Sequence, residues 1–594
     1  MIASLLETHR RTSILEMMRY LWPYMMRYKK KVFFGFLFIG LSNFIGIVPP
    51  AIVKNAIDYI KDTVEINQLL KFAGLIIVFT ALSGFFRFLM RRTVIVVSRL
   101  VENDLRNALF KKLQSLDRNW YQHNNTGDIM SRLTNDLNAI RAVLGPGVMY
   151  TVNLVTMFIF VTVMMFNISP LMTLIALLPV PVMGIVVNRI GAVIHKRYLA
   201  VQEQFARIST KAQENLSGMR IIKSYVLEDS ELNHFNELND DYIKKNMAHA
   251  RVQAAFQPSM MLIVGIGSAL ILLFGGKLII SGVITLGDFV AFTLYMGMLI
   301  WPSIALGWVM GIFLQGTAAF KRLQGIYNAN VDIEERDSQL LEKVDGKIQF
   351  MNLTFSYPQT DLNVLNDIQL DIHSGEIIAV VGRTGAGKSS LMHLLTREFD
   401  APAKSVFVDG RDILDIELES LRAAIGYIPQ DTFLFSETIR DNIAFGVNGA
   451  SNEEIEWAAK MAQIHDSILD LPDGYDTMLG ERGINVSGGQ KQRLAIARAI
   501  LKQPRILLLD DALSAVDTIT EEAILNNLRE VMKGKTCLWV SHRISSIKGA
   551  DKIIVLEQGK IEEQGTHEDL LLNNGLYANL YEKQKLEETL ELTE

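Results

Sequence analysis

A single cysteine, Cys537, in 594 residues excludes an internal disulfide framework and any metal site built on several thiolates. Positive charge is not in surplus either. The chain has 59 Lys and Arg against 64 Asp and Glu, a formal net charge of -5, so a nucleic-acid role has no electrostatic support. The N-terminus shows no short apolar run followed by a small-residue cleavage site, so no signal peptide is expected. Charge of either sign is thin, 21% of residues against 49% hydrophobic, which is high for a chain wholly in water. Part of this protein is therefore expected in lipid, and 594 residues are too many for one domain.

Six apolar segments supply that part, near 31 to 58, 68 to 92, 138 to 166, 169 to 193, 254 to 280 and 286 to 314, each able to cover the roughly 20 helical residues a bilayer requires. Before them, residues 14 to 30 mix Leu, Met, Trp and Tyr with Arg19, Arg27, Lys29 and Lys30. They fit an amphipathic helix at the membrane surface or a charged extension of the first span. Basic residues set the orientation. Arg91, Arg92, Arg99, Arg106, Lys111, Lys112, Arg118 and Arg132 lie between spans two and three, and Lys196, Arg197, Arg207, Lys211, Arg220, Lys223, Lys244 and Lys245 between four and five. Both connections are therefore expected in the cytoplasm, with both chain ends. Their helical periodicity (Leu100, Leu105, Leu109, Leu113; Ile208, Ala212, Leu216, Met219) predicts membrane helices that continue inward and turn around short cross-helices near 119 to 131 and 222 to 231. Methionines and aromatics are frequent in the later spans, for example Met260, Met261, Tyr295 and Trp308, but ordinary packing explains each as well as a ligand would, and none is assigned to substrate.

An acidic, polar stretch from 328 to 345 reads as a linker, and a different composition follows. Ile377 to Val381 is an apolar, β-branched run, then come Gly382-Arg383-Thr384-Gly385-Ala386-Gly387-Lys388-Ser389 and a helical run from Ser390. Strand, glycine loop and helix in that order let backbone N–H groups and a helix dipole surround a phosphate chain. Lys388 would reach the β- and γ-phosphates, and the Ser389 hydroxyl would coordinate Mg²⁺. A second apolar strand, Ile506 to Leu509, ends in Asp510-Asp511, a carboxylate placed to hold the same Mg²⁺. The domain is expected to be α/β, running from 346 to 582, with 583 to 594 as a tail.

Between these elements lies Val486-Ser487-Gly488-Gly489-Gln490. With it the chain resembles the ATP-binding cassette family, whose signature is LSGGQ; Val486 replaces the first Leu. The resemblance covers nearly the whole chain and is to exporter-type half-transporters, including the MdlA-like subunit of bacterial heterodimeric multidrug exporters. It implies a six-helix transmembrane domain over 31 to 327 with two coupling-helix regions, then a P-loop, RecA-like nucleotide-binding domain with a helical signature subdomain. Further matches are Tyr357 as the aromatic stacking on adenine, Gln430 of Ile428-Pro429-Gln430 as the Q-loop and Mg²⁺ partner, Gly480-Glu481-Arg482-Gly483 before the signature, Ser514-Ala515-Val516-Asp517 as the D-loop, and His542 of Ser541-His542-Arg543. Ser390 joins the phosphate loop. The family pairs two cassettes head to tail, so Ser487 to Gln490 would serve an ATP held mainly by the other chain, and Asp517 is expected at the nucleotide as well.

In most of the family the residue after the Asp510 position is Glu, which polarises the attacking water; here it is Asp511. Removing one methylene retracts the carboxylate by about 1.5 Å, and a displacement near 1 Å costs on the order of 10²-fold in rate. A weakened base beside an intact signature resembles heterodimeric exporters with one degenerate ATP site. The implied activity is ATP-driven export of amphipathic or hydrophobic compounds from the plasma membrane's cytoplasmic side, with a second half-transporter as partner. A homodimeric lipid flippase of the lipid A type is the alternative.

Overall fold

Apolar runs interrupted by few charges become helices that outlast any bilayer. The computed structural model describes residues 2–591 apart from 63, 64, 332, 334–338, 342, 359, 361 and 517. Among the described residues six helical stretches are long and apolar enough to cross a membrane: span 1, Lys29–Lys61; span 2, Ile66–Gln114; span 3, Thr126–Ile168; span 4, Pro170–Ser217; span 5, Glu228–Ile280; and span 6, Leu286–Tyr327. Span 2 is one unbroken helix of 49 residues. At 1.5 Å per residue it is about 74 Å long, more than twice the hydrocarbon thickness. The inward continuation expected from the leucine spacing is thus present.

Contacts divide the chain into two compact units, Met1–Gln114 with Thr126–Ala329, and Ser115–Asn125 with Asn330–Glu594. This division departs from the linear boundaries, which gave residues 115–125 to the membrane domain. The helix Arg118–His123 instead groups with the cassette, started by Asp117, whose side chain accepts from the Trp120 N–H at 2.9 Å. The second turnaround helix is Met219–Tyr225, somewhat before the expected 222 to 231. It stops because Val226 takes a left-handed conformation, φ 55°, a place sequence reading reserves for glycine.

Within the first unit some prolines act at breaks. Span 1 is split at Ile47, just before Pro49-Pro50, and the Ile47 carbonyl accepts the Tyr295 hydroxyl of span 6 at 2.9 Å. Pro179 opens the second segment of span 4, whereas Pro258 and Pro302 lie inside continuous helices. In the inward extensions, buried charge stands beside buried Val101, Leu105 and Leu109. Glu102 is 5% exposed and accepts from Arg99 and Arg106 at 3.0 and 2.7 Å, and Asp136 receives both ends of the Arg322 guanidinium at 2.9 and 2.6 Å. Satisfying both carboxylate oxygens is what makes such burial tolerable.

Spans 1 and 6 are locked where span 6 starts. Asp58 accepts the Gly287 N–H at 2.9 Å and the Thr285 hydroxyl at 2.7 Å, and Lys54 pairs with Asp288 at 2.6 Å. A Cβ on Gly287 would stand 2.3 Å from the Lys54 carbonyl. Gly287→Val is therefore expected to destabilise the protein by about 1–3 kcal/mol, read as a lowered unfolding midpoint in detergent. An unchanged midpoint would show that span 6 can shift without cost.

Among the described residues the second unit holds two sheets. β1 (Ile348–Ser356), β2 (Asn363–Ile372), β4 (Val406–Val408) and β5 (Arg411–Asp412) form an antiparallel sheet in the order β2-β1-β4-β5. The main sheet runs β10-β9-β3-β8-β7-β6, from β3 (Ile377–Val381), β6 (Ile425–Ile428), β7 (Ile506–Asp510), β8 (Thr536–Val540), β9 (Lys552–Glu557) and β10 (Lys560–Gly565), parallel except for the edge hairpin β9–β10. The central strands are apolar on both faces because both faces are covered. Ile378, Val380, Leu508 and Leu538 pack with the helix Lys388–Leu395 on one side, and Ala379, Val381, Leu509 and Trp539 with the helix Gly488–Leu501 on the other.

Candidate functional site

The parallel register sets the site. β3 pairs with β8, β8 with β7 and β7 with β6, so the residues after their C-terminal ends emerge along one sheet edge. That edge carries the glycine loop after β3, Gln430 after β6, Asp510 and Asp511 at the end of β7, and His542 after β8. In parallel α/β sheets this is where ligands bind.

Gly382 opens the loop at φ 155°, and a Cβ there would meet the Leu556 carbonyl at 2.1 Å, so only glycine lets the chain leave β3 beside β9. Arg383, Thr384 and Gly385 are exposed, Ala386 is buried, and Gly387 precedes the helix that begins at Lys388. Lys388 is 6% exposed, and its Nζ donates to the Gly382 and Arg383 carbonyls, both at 2.9 Å. Burial pulls its pKa down, while Asp510 and Asp511 push it back up. The Ser389 hydroxyl donates to Asp510 Oδ1 at 3.0 Å. The Asp510 carboxyl is raised by burial above all and further by the charge of Asp511, against the Ser389 hydrogen bond. A hydroxyl and a carboxylate side by side, the latter desolvated, are a hard-oxygen donor pair suited to Mg²⁺. Asp511 has φ 48°, a conformation that Asp tolerates better than most residues. Its Oδ1 accepts the His542 backbone N–H at 3.4 Å, so Asp511 and the loop after β8 share one contact.

Tyr357 and Ser390 are brought together more closely than their motifs suggest, with hydroxyls 2.8 Å apart. Tyr357 packs edge-on to Phe355 and Phe399, with centroids 5.1 and 4.9 Å away. Gln430 is exposed. Ser487 starts the 14-residue helix Gly488–Leu501 with a capping box: its hydroxyl accepts the Gln490 N–H at 3.3 Å, and the Gln490 side chain accepts the Ser487 N–H at 2.9 Å. Ser487 and Gly488 are exposed, and Gln492 links this helix to Ser514 and to the Ala515 N–H at 3.1 and 2.9 Å. Asp517 lies outside the described residues. The signature helix and the helix after the glycine loop cover opposite faces of the main sheet.

Sequence reading gave no site role to three residues beside Tyr357. His393, Glu398 and Arg118 form a cluster with it, Arg118 coming from 275 residues upstream of His393. No motif joins residues so far apart.

A transmembrane unit of six helices with a cytoplasmic cassette of this fold and edge defines an ATP-driven transporter. Residues 32–303 match the ABC transporter transmembrane region and residues 365–514 the ABC transporter family. The chain belongs to the ABC transporters, as a multi-pass membrane protein that binds and hydrolyses ATP. It is 37% identical over 547 residues to a probable multidrug resistance ABC transporter ATP-binding/permease protein, YheI, of Bacillus subtilis, covering 92% of this chain and 93% of that one. It is 36% identical over 547 residues to the multidrug resistance-like ATP-binding protein MdlA of Escherichia coli, covering 92% of each. A bacterial Atm1-family ABC exporter solved with ATP bound superposes with a TM-score of 0.78 at 29% identity, over 94% of this chain and 98% of that one.

Proposed function

We propose that this chain is one half of an ATP-driven exporter of amphipathic or hydrophobic compounds, paired with a second half-transporter that supplies a glutamate where this chain has Asp511. The observation that carries the pairing is the placement of the two anion-binding features on opposite sheet faces, helix 388–395 on one and helix 488–501 on the other. A single cassette then presents its Ser487 to Gln490 turn to a nucleotide other than its own. The relatives' names support the class of cargo.

In this reading Tyr357 stacks on the adenine, Gly382 to Ser390 wrap the phosphates, and Lys388 swings from its carbonyls to the β- and γ-phosphates. Ser389, Asp510 and Gln430 would hold Mg²⁺, which neutralises charge developing on the transferred phosphoryl group. Asp511 orients the attacking water at a distance about 1.5 Å too long, and His542, one hydrogen bond from it, faces the γ-phosphate. Ser487 to Gln490 and Asp517 complete the partner's site. ATP thereby favours the closed pair of cassettes, and hydrolysis releases it, moving the spans between inward- and outward-facing populations.

The test is transport by the complex purified with whatever partner it carries, reconstituted into proteoliposomes. ATP-dependent accumulation of a fluorescent amphipathic cation in vesicles with cassettes outward is the expected result, with native mass spectrometry of the same sample showing two different chains. Flipping of a labelled lipid without uptake of the cation, by a complex of two identical chains, would replace this reading with the homodimeric flippase.

A further inference from the structure

The cluster around Tyr357 has a direction fixed by chemistry. The Arg118 guanidinium lies 3.0 Å from His393 Nε2 and pairs with Glu398. Guanidinium groups only donate, so Nε2 must accept, and the imidazole proton sits on Nδ1. Nδ1 is 3.2 Å from the Tyr357 hydroxyl and so donates to it, and that hydroxyl then donates to Ser390 Oγ at 2.8 Å. The order is Arg118, His393, Tyr357, Ser390, each group passing one N–H or O–H forward. It requires a neutral His393. Burial first, and Arg118 next, hold its pKa below the ordinary histidine value, against the pull of Glu398.

The backbone builds this arrangement. The helix Lys388–Leu395 places Ser390 and His393 on one side, three residues apart. It ends with Arg397 at φ 47°, and the Glu398 N–H returns to the His393 carbonyl at 2.9 Å, a left-handed stop that sets the Glu398 carboxylate beside the imidazole. Phe399 follows immediately and closes the far edge of the Tyr357 ring. Arg118 arrives on the helix Arg118–His123 of the same compact unit.

We infer that His393 is a positioning residue, which aims the Tyr357 ring through its hydroxyl and makes that aim depend on Arg118, the first residue of the cytoplasmic helix between spans 2 and 3. This rests on Tyr357 stacking against adenine. Nucleotide occupancy and the seating of that helix then become linked within one chain, through the base and not the phosphates: a displaced Arg118 frees the imidazole, and a freed imidazole lets the ring turn.

The experiment compares ATP with tripolyphosphate, which has the phosphates and no base, for binding to the full-length complex in lipid nanodiscs. Arg118→Ala, His393→Ala and Tyr357→Phe should each weaken ATP binding by about three- to tenfold and weaken tripolyphosphate binding by less than about twofold, since only Ser390 at the end of the order touches the phosphate loop. Arg118→Ala and Tyr357→Phe combined should be no worse than the poorer single change, and in a His393→Ala background each should matter less than about twofold. Multiplying effects, or effects that persist without His393, overturn the relay. Equal losses for ATP and tripolyphosphate also overturn it, since they mean that the cluster only holds the fold. Tyr357→Ala checks the underlying reading separately: if it weakens neither ligand, stacking on adenine is wrong, and if it weakens ATP alone while the other variants have no effect, only the relay fails.

Discussion

Asp511→Glu should raise hydrolysis at this chain's own ATP site on the order of tenfold to a hundredfold. Restoring one methylene returns the carboxylate by about 1.5 Å, and errors near 1 Å in the placement of reacting groups cost on the order of 10² in rate. An opposing effect is smaller. Asp511 sits at φ 48°, where Asp is favoured over longer side chains, and a left-handed residue costs about 1–2 kcal/mol whichever acid occupies it, so only a fraction separates the two. Vanadate trapping of a photoreactive ATP analogue on this chain reads its site alone. Total turnover discriminates the assembly: beside a partner site that already works, it can rise only about twofold, whereas two copies of this chain would gain the full factor. Unchanged trapping would place the defect elsewhere than in the length of Asp511.

Lys388→Ala should weaken ATP binding on the order of 10²-fold or more while leaving the melting temperature of the nucleotide-free protein nearly unchanged. Truncating one partner of a buried charge pair costs about 2–5 kcal/mol, and the phosphates would meet no other ammonium at that point. Folding loses little because Lys388 is a desolvated cation whose pKa burial has already lowered, and its removal spares that penalty. The Gly382 and Arg383 carbonyls that it leaves lie on the half-buried and exposed part of the loop, where water can reach them. An ATP dissociation constant raised less than about tenfold would mean that the backbone N–H groups carry the binding.

Legibility in the sequence followed the distance between cooperating residues. The spans could be read because some twenty consecutive apolar residues signal them, and the phosphate loop because strand, glycines, Lys388 and Ser389 are contiguous. β7 was read for the same reason, as a continuous apolar run buried on both faces. β10 was not: Lys560–Gly565 alternates half-buried with exposed positions and carries two glutamates, and its turn is Gln558-Gly559, both at positive φ, without the Asn or Asp that usually marks it. The end of the second turnaround helix escaped because Val226 takes a left-handed conformation that β-branching normally forbids. The pairing of Arg118 with His393 and Glu398 depends on tertiary folding alone.

The chain crosses between its two compact units at 114/115, at 125/126 and, within the 328–345 linker, at 329/330, so the linker is not the single joint between them. For exchange of cassettes between such transporters this means that a cut in the linker would leave part of the second compact unit behind. A recombination joint in the linker would set a new cassette, whose residues at 393 and 398 need not match, against the old Arg118, so moving residues 115–125 with the cassette would keep the cluster intact.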